Sequence, residues 1–454
     1  MANNFTTGKP SRQLFWFAVP ILLGNVFQQF YNIVDSAVVG RLIGNDALGA
    51  VGASYPVIFA IISLISGIAG GFTIVVSQYF GARQYDNVKA TITTMYFFIF
   101  FFSALASILA LIFSKEIFLL LDLPIELLDL ATRYINIYMS GIILFFGYAA
   151  TTAILRGLGD SKTPLYFLIF STLLNISLDL LFVYVLGYGV EGVAYATIIA
   201  QGIAFIAISI YVHHKNVHLR INFSSLKFDF DIFKKAIRIG LPSGIQMVAV
   251  SVGMVIISRL VNGFGTEVIA AYSVAMRIDS LAVMPAMAYS QAVASFTGQN
   301  MGAGKFSRVM SGYKTSLSQS LIICVIMTAV IVIFGENLMG IFTEDPEIIR
   351  IGKEYLVIVS SFYALFVILF NSNGVLRGAG DTLIPMFVTI VALWIVRIPV
   401  AYYLAGFMGE TGVWWSVPAG WAVGATFSTL YFFSGKWRTK GVVKHFPKEE
   451  MLEE

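Results

Sequence analysis

The chain is poor in the residues that soluble proteins and most enzymes rely on. It has a single cysteine, Cys324, in 454 residues, so no disulfide framework can form within it. Its four histidines (His213, His214, His218 and His445) lie in polar segments without a cysteine beside them, which leaves a zinc-type site short of ligands. There is no P-loop, no G-x-S-x-G and no H-E-x-x-H, so the familiar phosphate-binding and hydrolytic signatures are missing. Charged residues make up only 12%, about half of what a soluble surface needs. No feature points to a nucleic-acid partner or to a cofactor.

What the chain does have is hydrocarbon. It is 58% hydrophobic with a mean hydropathy of +0.82, and its apolar runs reach or exceed the ~20 residues that cross a bilayer. The first of these runs has no small-residue cleavage site after it, so it reads as a retained helix rather than a signal peptide. Twelve spans are expected, at 14–40, 50–78, 91–113, 133–155, 164–187, 192–212, 237–261, 268–298, 316–335, 354–376, 385–406 and 413–434.

One stretch organises them. Leu155 to Pro164 reads L-R-G-L-G-D-S-K-T-P, and Leu376 to Pro385 reads L-R-G-A-G-D-T-L-I-P, 221 residues later. Gly44 with Gly265 and Gly81-Ala82 with Gly302-Ala303 keep that spacing, and Pro20 with Pro242 differs by one. The chain is a duplication of one six-span unit. The expected organisation is an amino-terminal lobe at 1–212, a polar linker at 213–236 and a carboxy-terminal lobe at 237–454. An even number of spans per copy makes the halves parallel repeats, and the gap between such halves is the natural place for a substrate. Within the motif, the glycines suit a tight reversal and the proline opens the next helix.

The basic residues set an orientation. On the side of the termini and linker lie 21 of the 29 Lys and Arg, and only six face the other way. The positive-inside rule then puts both termini in the cytoplasm of a plasma (inner) membrane protein. The basic linker is also suited to touch anionic membrane lipid.

Ionisable residues inside spans are costly and mark function by default. In the first span Gln28, Tyr31, Asn32 and Asp35 share one helical face, and in the fifth Asn175 and Asp179 are four apart. The sixth span brings Tyr195, Thr197 and Gln201 through the same level. By helical rise, Asp35 and Asp179 sit roughly 9 and 12 Å below the outer boundary. A polar stripe at that depth must face protein or water, because lipid cannot satisfy it. Two carboxyl groups facing each other in a dry cavity disfavour each other's charge, so such a pair can carry a proton. The same oxygens can instead hold Na⁺. Tyr31, Tyr138, Phe145 and Phe146 could line a cavity for hydrophobic cations.

The second half does not repeat the cluster: Asp35 and Asp179 correspond to about Ile257 and Val400. It has Arg277 and Asp279 in the eighth span and Arg397 in the eleventh instead. Asp279 with Arg397 is the expected structural ion pair, since Arg277 points away from its near neighbour.

Two six-span halves, the paired L-R-G-x-G-D-x-x-x-P motifs, G-Q-N-M-G-A-G at Gly298–Gly304 and S-Q-Y-F-G-A at Ser77–Ala82 together resemble the multidrug and toxic compound extrusion (MATE) family. The resemblance runs through the whole chain. It implies an all-α, V-shaped bundle of twelve transmembrane helices that exchanges cationic, lipophilic compounds for H⁺ or Na⁺ by alternating access, as a monomer. Asp35, Gln28, Tyr31, Asn175, Asp179 and Thr197 resemble the amino-lobe ion site of the DinF-like branch, with Asn32, Tyr138 and Tyr195 at the substrate cavity. Pro20 matches the proline where that branch is proposed to bend its first helix. The acids of the NorM-like members would fall at Val250 and about Leu365, both apolar here, which favours coupling through the first half. The rival readings are a lipid or lipid-linked oligosaccharide flippase of the same superfamily, which should present a basic cavity, and an integral-membrane enzyme, which would need catalytic groups on ordered loops.

Overall fold

The structure is a computed structural model and describes residues 4–215 and 227–444. His218 and His445 therefore lie outside the described residues. Among those described, every regular element is helical. In chain order the α-helices are α1 (Pro10–Val38), α2 (Asn45–Gly81), α3 (Tyr85–Leu120), α4 (Ile125–Ser140), α5 (Ile142–Gly157), α6 (Lys162–Asp179) and α7 (Gly189–Lys215). The second copy follows as α8 (Phe230–Asn262), α9 (Thr266–Gly302), α10 (Phe306–Gly340), α11 (Pro346–Ser360), α12 (Tyr363–Ala379), α13 (Leu383–Ile390), α14 (Ile398–Met408) and α15 (Glu410–Phe433).

Nine stretches among the described residues are long and apolar enough to cross a membrane. Two further spans arise if α4 joins α5 and α11 joins α12, each pair being bent by 50°. The α4–α5 break falls at Ser140-Gly141, a pairing that often interrupts a helix. The α11–α12 break falls at Ser361-Phe362, the same place in the repeat. The 24-residue α15 stands where the repeat puts the twelfth span, as the counterpart of α7.

Three π-helical segments interrupt the spans: Val39–Ile43 after α1, Leu180–Val185 after α6, and Val391–Arg397 between α13 and α14. Asp35 lies one turn before the first, Asp179 directly before the second, and Arg397 ends the third. A π segment carries an extra residue per turn, so it turns the side chains beyond it away from the plain α register. Such bulges are common at functional sites.

The chain forms two compact units, and they do not follow the lobe boundaries throughout. Unit 1 holds Leu23–Val76 and the described part of Gln84–Gly244. Unit 2 holds Asn4–Leu22, Ser77–Arg83 and the described residues from Ile245 onward. The start of α8 therefore packs with the first copy, and the start of α1 with the second. In unit 1, Gly67 and Gly71 of α2 lie directly against Gly240 of α8, where a methyl group on Gly71 would collide with the Ala236 carbonyl.

In unit 2 the Gln299-Asn300 step of the G-Q-N-M-G-A-G stretch grips the segment ahead of α1. Gln299 Oε1 accepts from Phe5 N (2.8 Å), and Asn300 Nδ2 and Arg308 Nε donate to the Phe5 carbonyl (3.2 and 2.7 Å). Lys305 Nζ donates to the Thr6 carbonyl (2.9 Å), and the Phe5 ring is fully buried against Phe17 and Phe296.

The duplicated motif divides its labour between its two glycines. Gly159 and Gly380 take positive φ (+82° and +90°), as a reversal requires. Gly157 and Gly378 do not. They let helices touch, since a Cβ on either would press on the carbonyl of Thr73 or Ala294. Asp160 then caps α6, with Oδ1 accepting from Lys162 N and Thr163 N (3.1 and 3.0 Å) and Oδ2 from Thr163 Oγ1 (2.7 Å). Asp381 accepts from Tyr431 Oη (2.6 Å) instead.

Candidate ion-coupling site

The half of unit 1 farther from the start of α1 gathers α1, α4, α6 and α7 around two carboxyl groups. Asp179 is the last residue of α6 before its π segment and is completely buried. Asn175, one turn earlier, is buried too. Its amide, turned so that both of its atoms are satisfied, donates to Asp179 Oδ2 (3.0 Å) and accepts from Thr197 N of α7 (3.3 Å). Thr197 Oγ1 lies 3.3 Å from the Tyr31 hydroxyl of α1. Tyr31 is one turn from Asp35, so a polar line runs from α1 through α7 to α6 and ends on a carboxyl group at each side.

Each carboxyl keeps one oxygen unmet. Asp35 Oδ1 and Asp179 Oδ1 are both buried without a hydrogen-bond partner among the described residues. Asp35 stands near enough for its charge to act on Asp179 and on the buried phenols of Tyr134 and Tyr138. A buried carboxylate oxygen without a donor costs free energy, and either a proton or a bound cation removes that cost.

The remaining expected residues fall out as follows. Gln28 and Asn32 are exposed and bond each other (Gln28 Nε2 to Asn32 Oδ1, 3.5 Å), and Asn32 Nδ2 also donates to Gln29 Oε1 (3.3 Å). No hydrogen bond among the described residues brings Gln28 to either carboxyl group. Tyr138 is buried on α4, its ring tilted 32° from that of Tyr134 with centroids 6.1 Å apart, whereas Tyr195 on α7 is 41% exposed. Pro20 is buried inside α1, three residues before the helix passes from unit 2 to unit 1 at Leu23. Tyr134 and Asn136 on α4 were not singled out by the sequence. The four-residue spacing of Tyr134 and Tyr138, just inside Arg133, is the pattern that points to them.

In unit 2 the expected ion pair is replaced. Asp279 Oδ1 accepts from the Tyr363 hydroxyl at 2.6 Å, and no ion pair within 4.0 Å joins Asp279 to Arg397 or Arg277 among the described residues. A phenol at the start of α12 satisfies this carboxylate over a shorter reach than a guanidinium from another helix. Arg397 is near enough to act on Asp279 through its charge, but its Nη1 rests against Met254 Sδ at 3.5 Å. Arg277 is exposed.

A duplicated membrane bundle with charged residues inside its spans is an architecture that many secondary transporters share. The MatE family model matches residues 20–181 and again 242–403, once in each copy. The chain is 31% identical over 441 residues to the probable multidrug resistance protein YpnP of Bacillus subtilis, covering 96% of this chain and 98% of that one. It is 28% identical over 438 residues to the probable multidrug resistance protein NorM of Thermotoga maritima, covering 95% and 94%. A solved outward-facing multidrug resistance MATE family transporter of the MOP superfamily has the same fold, with a TM-score of 0.90 at 24% identity over 95% of this chain and 97% of that one. The chain belongs to the MatE family of multidrug efflux transporters and is not an enzyme.

Proposed function

We propose that the protein exports cationic, lipophilic small molecules in exchange for H⁺ or Na⁺ by alternating access, with Asp35 and Asp179 as the ion switch. The observation that carries this reading is the pair of buried, unmet carboxylate oxygens joined by the Tyr31–Thr197–Asn175 line. In this scheme the protein sits in the plasma membrane with both termini in the cytoplasm and works as a monomer. Ions entering from outside neutralise the two carboxyl groups. The first helix then bends at Pro20, where the proline already lacks a helical hydrogen bond, and cargo leaves outward. A basic cavity, which a lipid-linked sugar flippase would need, has no counterpart in this acidic cluster.

The test is transport into or out of vesicles with Na⁺ and pH varied independently. If one proton exchanges for one monovalent cation, the accumulation ratio rises about tenfold per unit of pH gradient and ignores voltage. Two ions per cycle would square that dependence and add about 2.3 kcal/mol per 100 mV for the extra charge. Export that responds to neither ion would overturn the reading.

A further inference from the structure

Unit 1 contains a second feature that the ion site does not use. A cavity of about 760 Å³ runs along the half of the bundle nearest the termini. Its floor is α5, and its walls are α3 and α7, each packed on α5. The lining is almost wholly apolar, with Phe97, Phe100, Leu144 and Phe205 prominent. Gly147 lets the Phe205 ring lie flat on the floor, because any Cβ there would meet that ring at 2.7 Å.

The dimensions suit one bilayer leaflet. From Leu155 to Ile143 the floor runs through twelve helical steps, roughly 18 Å of rise. Half of a ~30 Å hydrocarbon core is ~15 Å. The volume also falls within the ~300–1,000 Å³ usual for small-molecule sites.

The polar groups along it come in a particular order. At the mouth, α7 ends in His213, His214 and Lys215, all exposed, and Lys89 is exposed on α3. The acids on the neighbouring elements are Asp86 in the first turn of α3, and Asp229 and Asp231 beside the start of α8. Asp229 is engaged, its Oδ1 capping Ile232 N at 2.9 Å and its own N bonded to Thr94 Oγ1 at 3.1 Å. One turn below the histidines, about 6 Å deeper, Ser209 lines the groove, its Oγ buried beneath the surface without a partner among the described residues. Beyond it the lining is hydrocarbon apart from Thr93 and the hydroxyls of Tyr96 and Thr151, which bond each other at 2.7 Å.

Base, hydroxyl, hydrocarbon is the complement of phosphate, ester, acyl chain. We propose that this groove binds one acidic phospholipid of the leaflet on the side of the termini. Its phosphate sits at His213, His214 and Lys215, its ester region lies at the level of Ser209, and one chain lies along α5. Calling that leaflet cytoplasmic rests on the orientation proposed above, whereas the site itself does not. The chain contributes little selectivity, since bilayer hydrocarbon is as apolar as the groove. Selection must come from the basic mouth, which attracts anionic heads.

The test is native mass spectrometry of the purified full chain with equimolar phosphatidylglycerol and phosphatidylcholine. Wild type should retain the acidic lipid in at least roughly fivefold excess, the preference one basic residue near a charged surface confers. The combined His213→Ala, His214→Ala, Lys215→Ala variant should bind as much lipid in total with the preference gone. Ser209→Phe and Ile143→Trp, which fill the groove from two sides, should each lower retention of both lipids. Equal binding of the two lipids by wild type would mean unselective annular lipid only and would overturn the proposal. So would a preference that survives the triple variant, or full retention by a folded filling variant, checked by unfolding temperature and monodispersity. Ethidium export is measured alongside: its absence in every form strikes the transport reading, while unchanged lipid counts strike only this one.

Discussion

The two compact units treat buried polarity in opposite ways. In unit 1 the unmet atoms at the heart of the bundle are carboxylate oxygens, Asp35 Oδ1 and Asp179 Oδ1. In unit 2 those around Asp279 include Arg397 Nε, the Tyr272 hydroxyl and Trp414 Nε1, with Tyr272 and Trp414 stacked at 5.4 Å, while amide oxygens of Asn300 and Gln319 are unmet elsewhere in the unit. Asp279 there already has a phenol. Duplication preserved the frame, down to the positive-φ glycines at Gly159 and Gly380 and the breaks after Ser140 and Ser360. It did not preserve the chemistry hung on that frame, since fully buried Ile257 stands near where Asp35 would repeat.

The largest effect that would sharpen this contrast is in transport. Asp35→Asn or Asp179→Asn should cut ion-driven export by roughly 5–150-fold, the range of coupling free energies of about 1–3 kcal/mol. Vesicle flux under an imposed gradient measures it. Asp279→Asn should leave the ion dependence intact, and an equal loss there would break the comparison. Next comes Tyr363→Phe, which removes the donor from a buried carboxylate. Thermal unfolding in detergent should show a loss of ~1–3 kcal/mol, with the pH profile of export unmoved. Gly159→Ala and Gly380→Ala should each cost ~1–2 kcal/mol by forcing a Cβ into the left-handed region. Similar losses from both would confirm that the two copies share a frame. The smallest effect is Asp160→Ala, which removes a helix cap worth ~1 kcal/mol and should lower the unfolding temperature without altering coupling.

The frame was readable because its evidence is repetition. L-R-G-x-G-D and the apolar runs need only the one-dimensional string. The acidic cluster was readable for a related reason: polar residues four apart on α1 and α6 must share a face, and hydrocarbon forbids that face to look outward. What escaped needs three dimensions. Tyr363 reaching Asp279 joins positions 84 apart, and nothing in their local spacing marks them as partners. The π segments escaped because periodicity assumes a constant turn, and they adjoin the very residues of interest. The exchange of segments between units escaped because Gly71 against Gly240 is an encounter between distant stretches of backbone.

Phe5 carries a practical lesson. The chain ahead of α1 looks like dispensable lead-in, yet it is clasped through its own peptide groups by Gln299, Asn300 and Arg308. A clasp that holds backbone tolerates many side-chain changes and very few changes of length. Trimming past Asn4, or crowding that position with an affinity tag, would unpin the helix that bears Asp35 at its other end and could pass for a transport defect.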